Sequence, residues 1–421
     1  MSSKLTLAAI IAGGVMVGAT SSAQAADFGG DCCADLEERV AVLEATTARK
    51  GNRKVSLTIY GQVNQALMIW DDGTNSDAYV IDNDNSSSRF GFKGKAKIDS
   101  DWSAGYKIEI EVESSSSVGV SQTQDDNTGF NIRKSFLYLK SKSLGKVSIG
   151  QNSVATDDIT HDTFLSSTTG FTQPDIKYAR DFGIVNSAGV KQLGLEWGEL
   201  CGASVADDDQ CFDISGRQNS IRYDTPTFAG FTLSAAWGED DFWDVALRYA
   251  GDYGAIKVAA SVGYYEWDGR DAFANGSGKD VVNEETSLAA SASIIHTPTG
   301  LFLNASYRNI DVDFAASPDA DSDNFYIQAG IAQRWNSLGK TIIYGEYANS
   351  KDGALTSGAD TSLTSSDYDR WGIGIAQKID AASMEVYALY RHHEVELEDA
   401  GVAVNDLEDF DLFVVGSRIK F

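Results

Sequence analysis

The sequence predicts an all-β fold, a sixteen-stranded antiparallel transmembrane β-barrel with a short N-terminal helix. From Val55 to Phe421 apolar and polar residues alternate with a period of two, which is typical of strands that have two different faces. Tight and long connections alternate along the same stretch, as they do when the two rims of a barrel face different compartments. No run of about 18 apolar residues occurs, which excludes a bundle of transmembrane helices.

The composition narrows the possible functions. The 421 residues include 61 acidic and 34 basic side chains, a formal net charge of −27. Such a charge argues against nucleic acid as a partner, because no basic surface would offset the repulsion from phosphate. Acidic chains can be disordered, but an aromatic content of 10% together with the alternating apolar residues argues against disorder here.

The first 25 residues have the three parts of a secretory signal peptide. Lys4 gives the positive start, 5–19 is apolar or small, and Ala23-Gln24-Ala25 is a small-x-small cleavage site. We therefore expect residues 1–25 to be removed and the mature chain to lie outside the cytoplasm, where disulfides can form.

Residues 26–54 are predicted to form an N-terminal periplasmic segment with a short helix at about 35–49. Asp35 followed by Glu38 has the pattern of a helix N-terminus. Apolar residues then recur at heptad spacing for two turns, too few to hold a coiled coil alone, so a solvated amphipathic stub is an equal alternative. Cys32 and Cys33 are adjacent, and such pairs rarely bridge each other, so they either pair between chains or stay free.

Residues 55–421 are predicted to be the barrel. The predicted strands lie at about 55–69, 89–98, 102–113, 131–141, 145–151, 217–225, 228–238, 241–251, 254–267, 283–297, 300–312, 322–335, 339–350, 367–379, 382–395 and 408–421. In the third, Ile108, Ile110 and Val112 alternate with charged residues, which places Lys107, Glu109, Glu111 and Glu113 on the lumen side. Tryptophans near strand ends, Trp70 among them, suit the aromatic girdles at the two membrane interfaces.

The connections distinguish a membrane barrel from a soluble β-sandwich or propeller. Asp99–Asp101, Lys142–Leu144 and Asp380-Ala381 are examples of the tight ones, and 71–87 and 351–366 of the long polar ones. A soluble β-protein has no reason to alternate them throughout, so a secreted adhesin is a poor alternative. The longest connection, 152–216, contains Cys201 and Cys211, which bracket an Asp-rich stretch and could close it as a disulfide loop.

The two ends of the mature chain resemble a known family. The last strand ends in Ser417-Arg418-Ile419-Lys420-Phe421, similar to the assembly signal of bacterial outer-membrane proteins, in which Phe421 would be the terminal aromatic residue. The stretch Gly51–Asn64 is similar to the N-terminal region of alphaproteobacterial general-diffusion porins. The resemblance implies an outer-membrane homotrimer of sixteen-stranded barrels, inserted by the barrel-assembly machinery among outer-membrane lipid and lipopolysaccharide. It implies a passive water-filled channel for ions and small hydrophilic solutes.

The resemblance also implies that the third outer loop, about 152–216, folds into the pore and narrows it. We expect an acidic loop side, and basic residues on nearby strands should face it and create a transverse field. The expected loop residues are Asp157, Asp158, Asp162 and Asp175, and the expected wall residues are Arg89, Lys93, Lys95, Arg133 and Arg222. Any one of these aspartates could instead only cap loop backbone.

Cofactors, metals and catalysis are not expected. Outer-loop aspartates such as Asp82, Asp84, Asp319 and Asp321 could take divalent cations weakly, although a solvated acidic rim is the simpler interpretation. The four histidines occur in no catalytic motif, which disfavours a barrel enzyme. The main alternative is a substrate-specific channel for a sugar or an ion, which a ladder of lumen aromatics would favour.

Overall fold

The predicted fold class is confirmed in a computed structural model that describes residues 54–202, 216–239, 241–268, 282–315, 317–357 and 362–421. Nearly all regular structure in these ranges is β-strand, and every pairing between named strands is antiparallel. The signal peptide, the helix at 35–49, Cys32, Cys33 and Cys211 lie outside the described residues.

Among the described residues, eighteen strands form one sheet that runs round the barrel in chain order, and two short strands, Gly183–Val185 and Lys191–Glu196, pair with each other in a separate sheet. Their bounds are β1 (Thr58–Asp71), β2 (Ser76–Asp82), β3 (Arg89–Lys97), β4 (Trp102–Glu113), β5 (Gly129–Ser141), β6 (Gly145–Ser153), β7 (Gly183–Val185), β8 (Lys191–Glu196), β9 (Arg217–Asp224), β10 (Phe231–Gly238), β11 (Trp243–Asp252), β12 (Ile256–Asp268), β13 (Val282–His296), β14 (Leu301–Phe314), β15 (Ala320–Gln333), β16 (Thr341–Lys351), β17 (Leu363–Ile379), β18 (Met384–Asp399), β19 (Val402–Ala403) and β20 (Phe410–Lys420). A one-turn helix, α1 (Gly353–Thr356), lies in a loop. No helix among the described residues has the length and hydropathy needed to cross a membrane.

All sixteen predicted strands are present, and three predicted connections contain additional short strands: β2 in 71–87, β7 and β8 in 152–216, and β19 between β18 and β20. β2 and β3 both pair with β1, so together they form the second barrel strand. The stretch 71–87 was expected to be loop, but Ser76–Asp82 alternates like a strand and pairs with the upper half of β1. Its seven residues are too few to stand out by alternation alone.

The first and last strands close the barrel. β1 and β20 pair from Gln62 opposite Lys420 to Asp71 opposite Asp411. The backbone of Phe421 exchanges two hydrogen bonds with Gly61, at 2.9 and 3.0 Å. A Cβ at Gly61 would lie 2.4 Å from the Phe421 ring, so only glycine leaves room for the terminal aromatic residue at this seam.

The outer surface has an apolar band with a polar border. Outward residues on the strand centres are apolar and half exposed, for example Ile343 at 43% and Ile373 at 58%. At the border near the long loops, outward tyrosines donate to a carboxylate of the next strand, as Tyr390 does to Asp411 at 2.6 Å. Tyr307–Asp323 and Tyr347–Asp369 repeat this arrangement. Tyrosines with one wet end are typical of a membrane interface.

Trp70 does not belong to this girdle, contrary to the sequence expectation. Its side chain is 3% exposed and points inward, where it stacks on Phe410 and meets the Phe182 ring edge-on. The reason is register: in β1 the even positions face the lumen, and Trp70 follows Ala66 and Met68 on that face.

The apolar core lies inside the barrel, beneath a long inward loop. The chain leaves the wall at the end of β6 and rejoins it at β9, and the described part of this connection, 154–202, is mostly buried. Phe171 stacks on the wall residue Tyr387 at 5.1 Å, and Phe164 on Tyr326 at 6.0 Å. This connection, which we call the inner loop, therefore fills one side of the lumen and leaves the other side open.

Candidate functional site

The open side of the lumen is a cavity of about 1040 Å³ between the inner loop and the wall of β1, β3, β4 and β5. It extends from Tyr60, near the short-turn end of β1, to Asn131 near the long-loop end of β5. Its charged lining comprises eight basic and seven acidic side chains: Arg89, Lys107, Arg133, Lys134, Lys177, Arg217, Arg418, Lys420, Asp84, Glu109, Glu111, Glu113, Asp158, Asp162 and Asp175. A cavity with this lining stays wet, because charged groups are costly to remove from water.

Arginines of the wall hold the first part of the inner loop. Arg222 donates to the carbonyl oxygen of Val154 at 2.6 Å, and Arg248 donates to that of Ala155 at 2.8 Å. Arg248 also pairs with Asp162 at 2.6 Å. Hydrogen bonds from a charged donor are stronger than neutral ones, so these contacts fix where the loop enters the lumen.

Two more arginines hold the middle of the loop. Arg370 donates to the carbonyl of Pro174 at 2.6 Å, and Arg391 donates to that of Gln173 at 2.8 Å. Arg391 is fully buried and pairs with Glu346, also buried, at 2.6 Å. Such a pair is stable only when its remaining polar atoms are satisfied, and here the loop supplies the partners.

A β-bulge shapes the wall opposite the loop. The register of β4 and β5 shifts between Glu109 and Ile110, so that Arg133 is an extra residue on β5. Because of it Arg133 and Lys134, although adjacent, both line the cavity. Lys134 donates to Ser153 at 2.6 Å, which places its amine near the start of the inner loop.

The wall is not purely basic, because glutamates of β4 lie between the cations. Glu109 contacts Lys107 at 2.9 Å, Arg133 at 3.5 Å and Arg89 at 3.9 Å. Glu111 pairs with Arg133. Much of the positive charge predicted for this wall is therefore compensated locally, which reduces any transverse field.

On the loop side, adjacent Asp157 and Asp158 point in different directions. Asp157 is 4% exposed and does not line the cavity, and burial raises the pKa of its carboxyl. Asp158 has a positive φ of 62° and its side chain is 48% exposed to the lumen. Its place deep in the barrel would raise its pKa, but His161 at 2.9 Å, with Arg217 and Lys134, holds the pKa of Asp158 well below its usual range.

The two other predicted loop aspartates both line the cavity. The pKa of Asp162 is raised because burial outweighs the attraction of Arg248. Asp175 is 1% exposed, and its backbone carbonyl accepts a hydrogen bond from Arg370 at 3.2 Å. Both residues also take part in the contacts between the inner loop and the arginines of the wall.

Of the predicted wall residues, Arg89 and Arg133 line the cavity, and three do not. Lys93 and Lys95 lie in the second half of β3, towards its short turn, and are exposed. Arg222 lines no part of the cavity because its guanidinium is used on loop carbonyls and on Asp224. Cys201 is disulfide-bonded. Its predicted partner lies outside the described residues.

The sequence analysis missed the cavity residues Lys134 and Arg217. Strict alternation places one of Arg133 and Lys134 outside the barrel, and nothing in the sequence marks the bulge that brings both inside. Arg217 begins β9 directly after the inner loop, where strand parity gives no guide to where a long side chain reaches. The charged lumen residues of β4 alternate with apolar residues in the sequence, so they could have been included among the predicted site residues.

The barrel is similar to solved outer-membrane channels. It matches an anion-selective porin from Comamonas acidovorans at 18% identity and a TM-score of 0.58, over 87% of this chain and 100% of that one. It matches OmpF of Salmonella typhi at 17% identity and a TM-score of 0.55, over 88% of this chain and 99% of that one. It matches OmpT of Vibrio cholerae, in a trimer form, at 17% identity and a TM-score of 0.54, over 87% of this chain and 99% of that one. At these identities the likeness shows the fold alone. A comparison with curated protein sequences finds no significant match.

A family model settles what the fold alone does not. The model described as Gram-negative porin matches residues 7–398, most of the chain. Together with the closed barrel and its charged, open lumen, this match makes the protein a diffusion channel of the outer membrane rather than an enzyme. The chain belongs to the Gram-negative porin family.

Proposed function

We propose that the protein is a general-diffusion channel of the alphaproteobacterial type, open to ions and small hydrophilic solutes without selection for one of them. The observation that carries this proposal is the lining of the cavity, which mixes eight basic with seven acidic side chains. A mixed, water-filled surface offers no single solute a matched site, and it disfavours apolar solutes, which cannot replace the hydration of the charges.

The proposed narrowest zone lies between the inner loop and the bulged wall. Asp158 and His161 of the loop share the cavity with Lys134 and Arg217 of the wall. The contact of Lys134 with Ser153, where the inner loop begins, brings the wall amine close to the loop. These four residues replace, in the proposal, the larger set of aspartates and basic residues expected from the sequence.

Ion selectivity should be weak. The chain has a formal net charge of −27, but the cavity lining is almost balanced. Charges on the outer loops are screened beyond about 8 Å at physiological ionic strength, so they act on the channel mainly at low salt. We therefore propose a slight cation preference at low salt that fades as salt increases.

A sugar-specific channel is the alternative, and the cavity gives it little support. Among the described residues lining the cavity only Tyr60, Phe130 and Phe421 are aromatic. Most aromatic side chains inside the barrel instead pack beneath the inner loop, as Phe171 and Tyr387 do. A stacking path for sugar rings along the lumen is therefore not formed by these residues.

We also propose a homotrimer, with the outer face of β3–β6 as the contact between subunits. Outward residues there are apolar and include Ile108, Ile132, Leu137 and Ile149, at 39 to 62% exposure, and none is acidic. A matched structure is described as a trimer form, which supports this state. An alternative contact at Ala289, Ala290 and Ala292 of β13 is weaker, because Ala289 points into the barrel and is buried.

The opposite face suits lipid and lipopolysaccharide. On β14–β20 the outward tyrosines are followed by outward aspartates such as Asp323, Asp369 and Asp411. Carboxylates at that level could share divalent cations with the phosphates of lipopolysaccharide. At the other end, Phe421 remains the proposed recognition signal for the barrel-assembly machinery, and its ring is 66% exposed.

Liposome swelling tests the proposal. Purified protein should admit sugars at rates that fall smoothly with solute size and do not saturate with concentration. Swelling that saturates for one sugar, or that one sugar blocks for the others, would show a specific channel instead.

A further inference from the structure

Several lysines lie on the lumen face of four neighbouring strands, on the short-turn side of the proposed narrowest zone. Cross-strand partners point to the same face of a sheet, and Lys93 is opposite Lys107, which lines the cavity. Lys95 and Lys97 follow Lys93 at steps of two and therefore point the same way. The register of β4 with β5, and of β5 with β6, places one further lysine of each strand on that face. We call this set the lysine wall: Lys93, Lys95, Lys97, Lys107, Lys140 and Lys146.

Like charges face each other within the lysine wall. Lys93 is directly opposite Lys107, and Lys140 is directly opposite Lys146. Like-charged residues in such positions destabilise a sheet. All six side chains are exposed or half exposed, so solutes in the lumen can reach them. An anion that binds between these lysines relieves the repulsion and stabilises the folded barrel.

Few carboxylates compensate the charge of the lysine wall. Glu109 contacts Lys107 at 2.9 Å, and Asp224 of β9 contacts Lys146 at 2.8 Å. Within the described ranges no carboxylate forms an ion pair with any of the other four lysines. The strand segments that carry the wall contain no Asp or Glu; they are 93–97, 103–107, 136–140 and 146–150. Two of the six positive charges are thus paired, and four remain available to a solute.

Tyr60 connects the lysine wall to the cavity. Its side chain lines the cavity, and the Nζ atoms of Lys93 and Lys107 lie 5.0 and 5.3 Å from the centroid of its ring. A cation over an aromatic face is attracted by the ring, which helps to hold both ammonium groups at this end of the cavity. The hydroxyl of Tyr60 donates to Glu109 at 2.8 Å and so fixes the ring. An ion that passes between the cavity and the short turns on this side therefore passes both lysines.

The opposite end of the same side of the barrel is acidic. Asp84, Glu111 and Glu113 line the cavity towards the long loops, where Arg133 pairs with Glu111. Positive charge at one end and negative charge at the other act in series on every passing ion. Such an arrangement attracts anions from the short-turn side without making the whole channel strongly selective.

The spacing of the lysines suits an anion with several charged oxygens. Inward residues two apart on a strand are separated by about 6.6 Å, and direct cross-strand partners by about 5 Å. A phosphate chain can therefore reach two or three ammonium groups at once, whereas chloride reaches one. Lysine binds phosphate as a point charge and lacks the rigid fork that gives arginine its bidentate contacts. The anion is thus held loosely enough to leave again, as conduction requires.

We propose that the lysine wall binds multivalent phosphate anions that enter the channel from the side of the short turns, which faces the periplasm. The channel retains these anions at its periplasmic mouth, while potassium and chloride pass with little hindrance. Because the wall faces the lumen, its ligand is a dissolved anion and not a lipid headgroup. The inference rests on the proposed diffusion channel and names a class of solute that this channel retains.

Single-channel recording with an anion added to one compartment tests the lysine wall. In KCl, sodium tripolyphosphate should block each wild-type channel from one compartment and far less from the other. Lys93→Gln with Lys95→Gln removes two exposed charges of the wall, and it should raise the half-blocking concentration about tenfold, since each exposed ion pair contributes modestly. The matched control is Lys142→Gln with Lys351→Gln, which removes one exposed lysine of a short turn and one at the long-loop end of β16. This control should be blocked like wild type.

The outcomes separate the lysine wall from the channel itself. Equal half-blocking concentrations in wild type and the variant at 93 and 95, an equal increase in the control, or equal block from both compartments would overturn the inference, while the KCl current would still show a conducting channel. A protein that carries no KCl current would refute the diffusion channel instead, and the inference with it.

A comparison of anions on wild type needs no variant. Tripolyphosphate should block at a lower concentration than pyrophosphate, and pyrophosphate at a lower concentration than orthophosphate, because the number of charges decides how many lysines are engaged. Equal block by the three anions would contradict binding to the lysine wall.

Discussion

Replacement of Arg391 should show how firmly the inner loop is fixed to the wall. Its guanidinium contacts Glu346 at 2.6 Å, Thr172 Oγ1 at 2.7 Å and the carbonyl of Gln173 at 2.8 Å, and all of it is buried. Arg391→Met leaves Glu346 buried without its cation, a change that costs about 3–5 kcal/mol. Tyr326, which donates to Glu346 at 2.6 Å, keeps the loss near the lower end of that range.

A second variant separates the charge from the loop contacts. Arg391→Met combined with Glu346→Gln removes both charges, so the cost should fall to about 1–3 kcal/mol, the value of the lost hydrogen bonds to the loop. The control is Arg334→Met, which breaks an exposed pair with Asp380 and should cost about 0–1 kcal/mol.

Urea unfolding in phospholipid vesicles, followed by tryptophan fluorescence, measures these differences. Open-channel current noise should rise in Arg391→Met, because the loop loses two of its anchors. The reasoning fails if the single variant loses less than about 1 kcal/mol, or if the double variant is no more stable than the single one.

Three further predictions concern the channel and its assembly. Asp158→Asn should shift the reversal potential towards anions, and the control variant with both Asp319→Asn and Asp321→Asn should shift it far less at high salt. Equal shifts in the two variants would mean that the narrow zone lies elsewhere. Because the pKa of Asp158 is lowered, its side chain stays charged at mildly acidic pH, and the difference in reversal potential between wild type and Asp158→Asn should persist when the pH falls to about 4. Loss of that difference between about pH 6 and 5 would contradict the pairing of Asp158 with His161. Ile132→Glu should give monomers in mild detergent and Ile343→Glu should not, as judged by cross-linking, since only Ile132 lies on the proposed subunit contact.

The sixteen strands could be predicted from sequence because each side chain on a barrel strand points either to the lumen or to the membrane. That choice repeats with a period of two, so Ile108, Ile110 and Val112 are found on one face without any knowledge of their neighbours. The alternation of short and long connections then predicted that these strands form a membrane barrel. The short strands β2, β7, β8 and β19, whose two to seven residues give little periodic signal, were predicted as loop.

The candidate site was predictable only in part, because its geometry depends on contacts between distant parts of the chain. The loop position is fixed by Arg222, Arg248, Arg370 and Arg391, which are spread over four strands. Nothing in the pair Asp157-Asp158 shows which side chain faces the lumen; that is decided by the left-handed backbone at Asp158.

Single-channel recording in planar bilayers with KCl tests the central claim most directly. An open, water-filled lumen with a mixed charged lining should give stepwise, ohmic currents that grow with salt concentration without saturating, and a small reversal potential in a salt gradient. Currents that saturate at low salt, or a membrane that stays closed at high protein loading, would contradict the account.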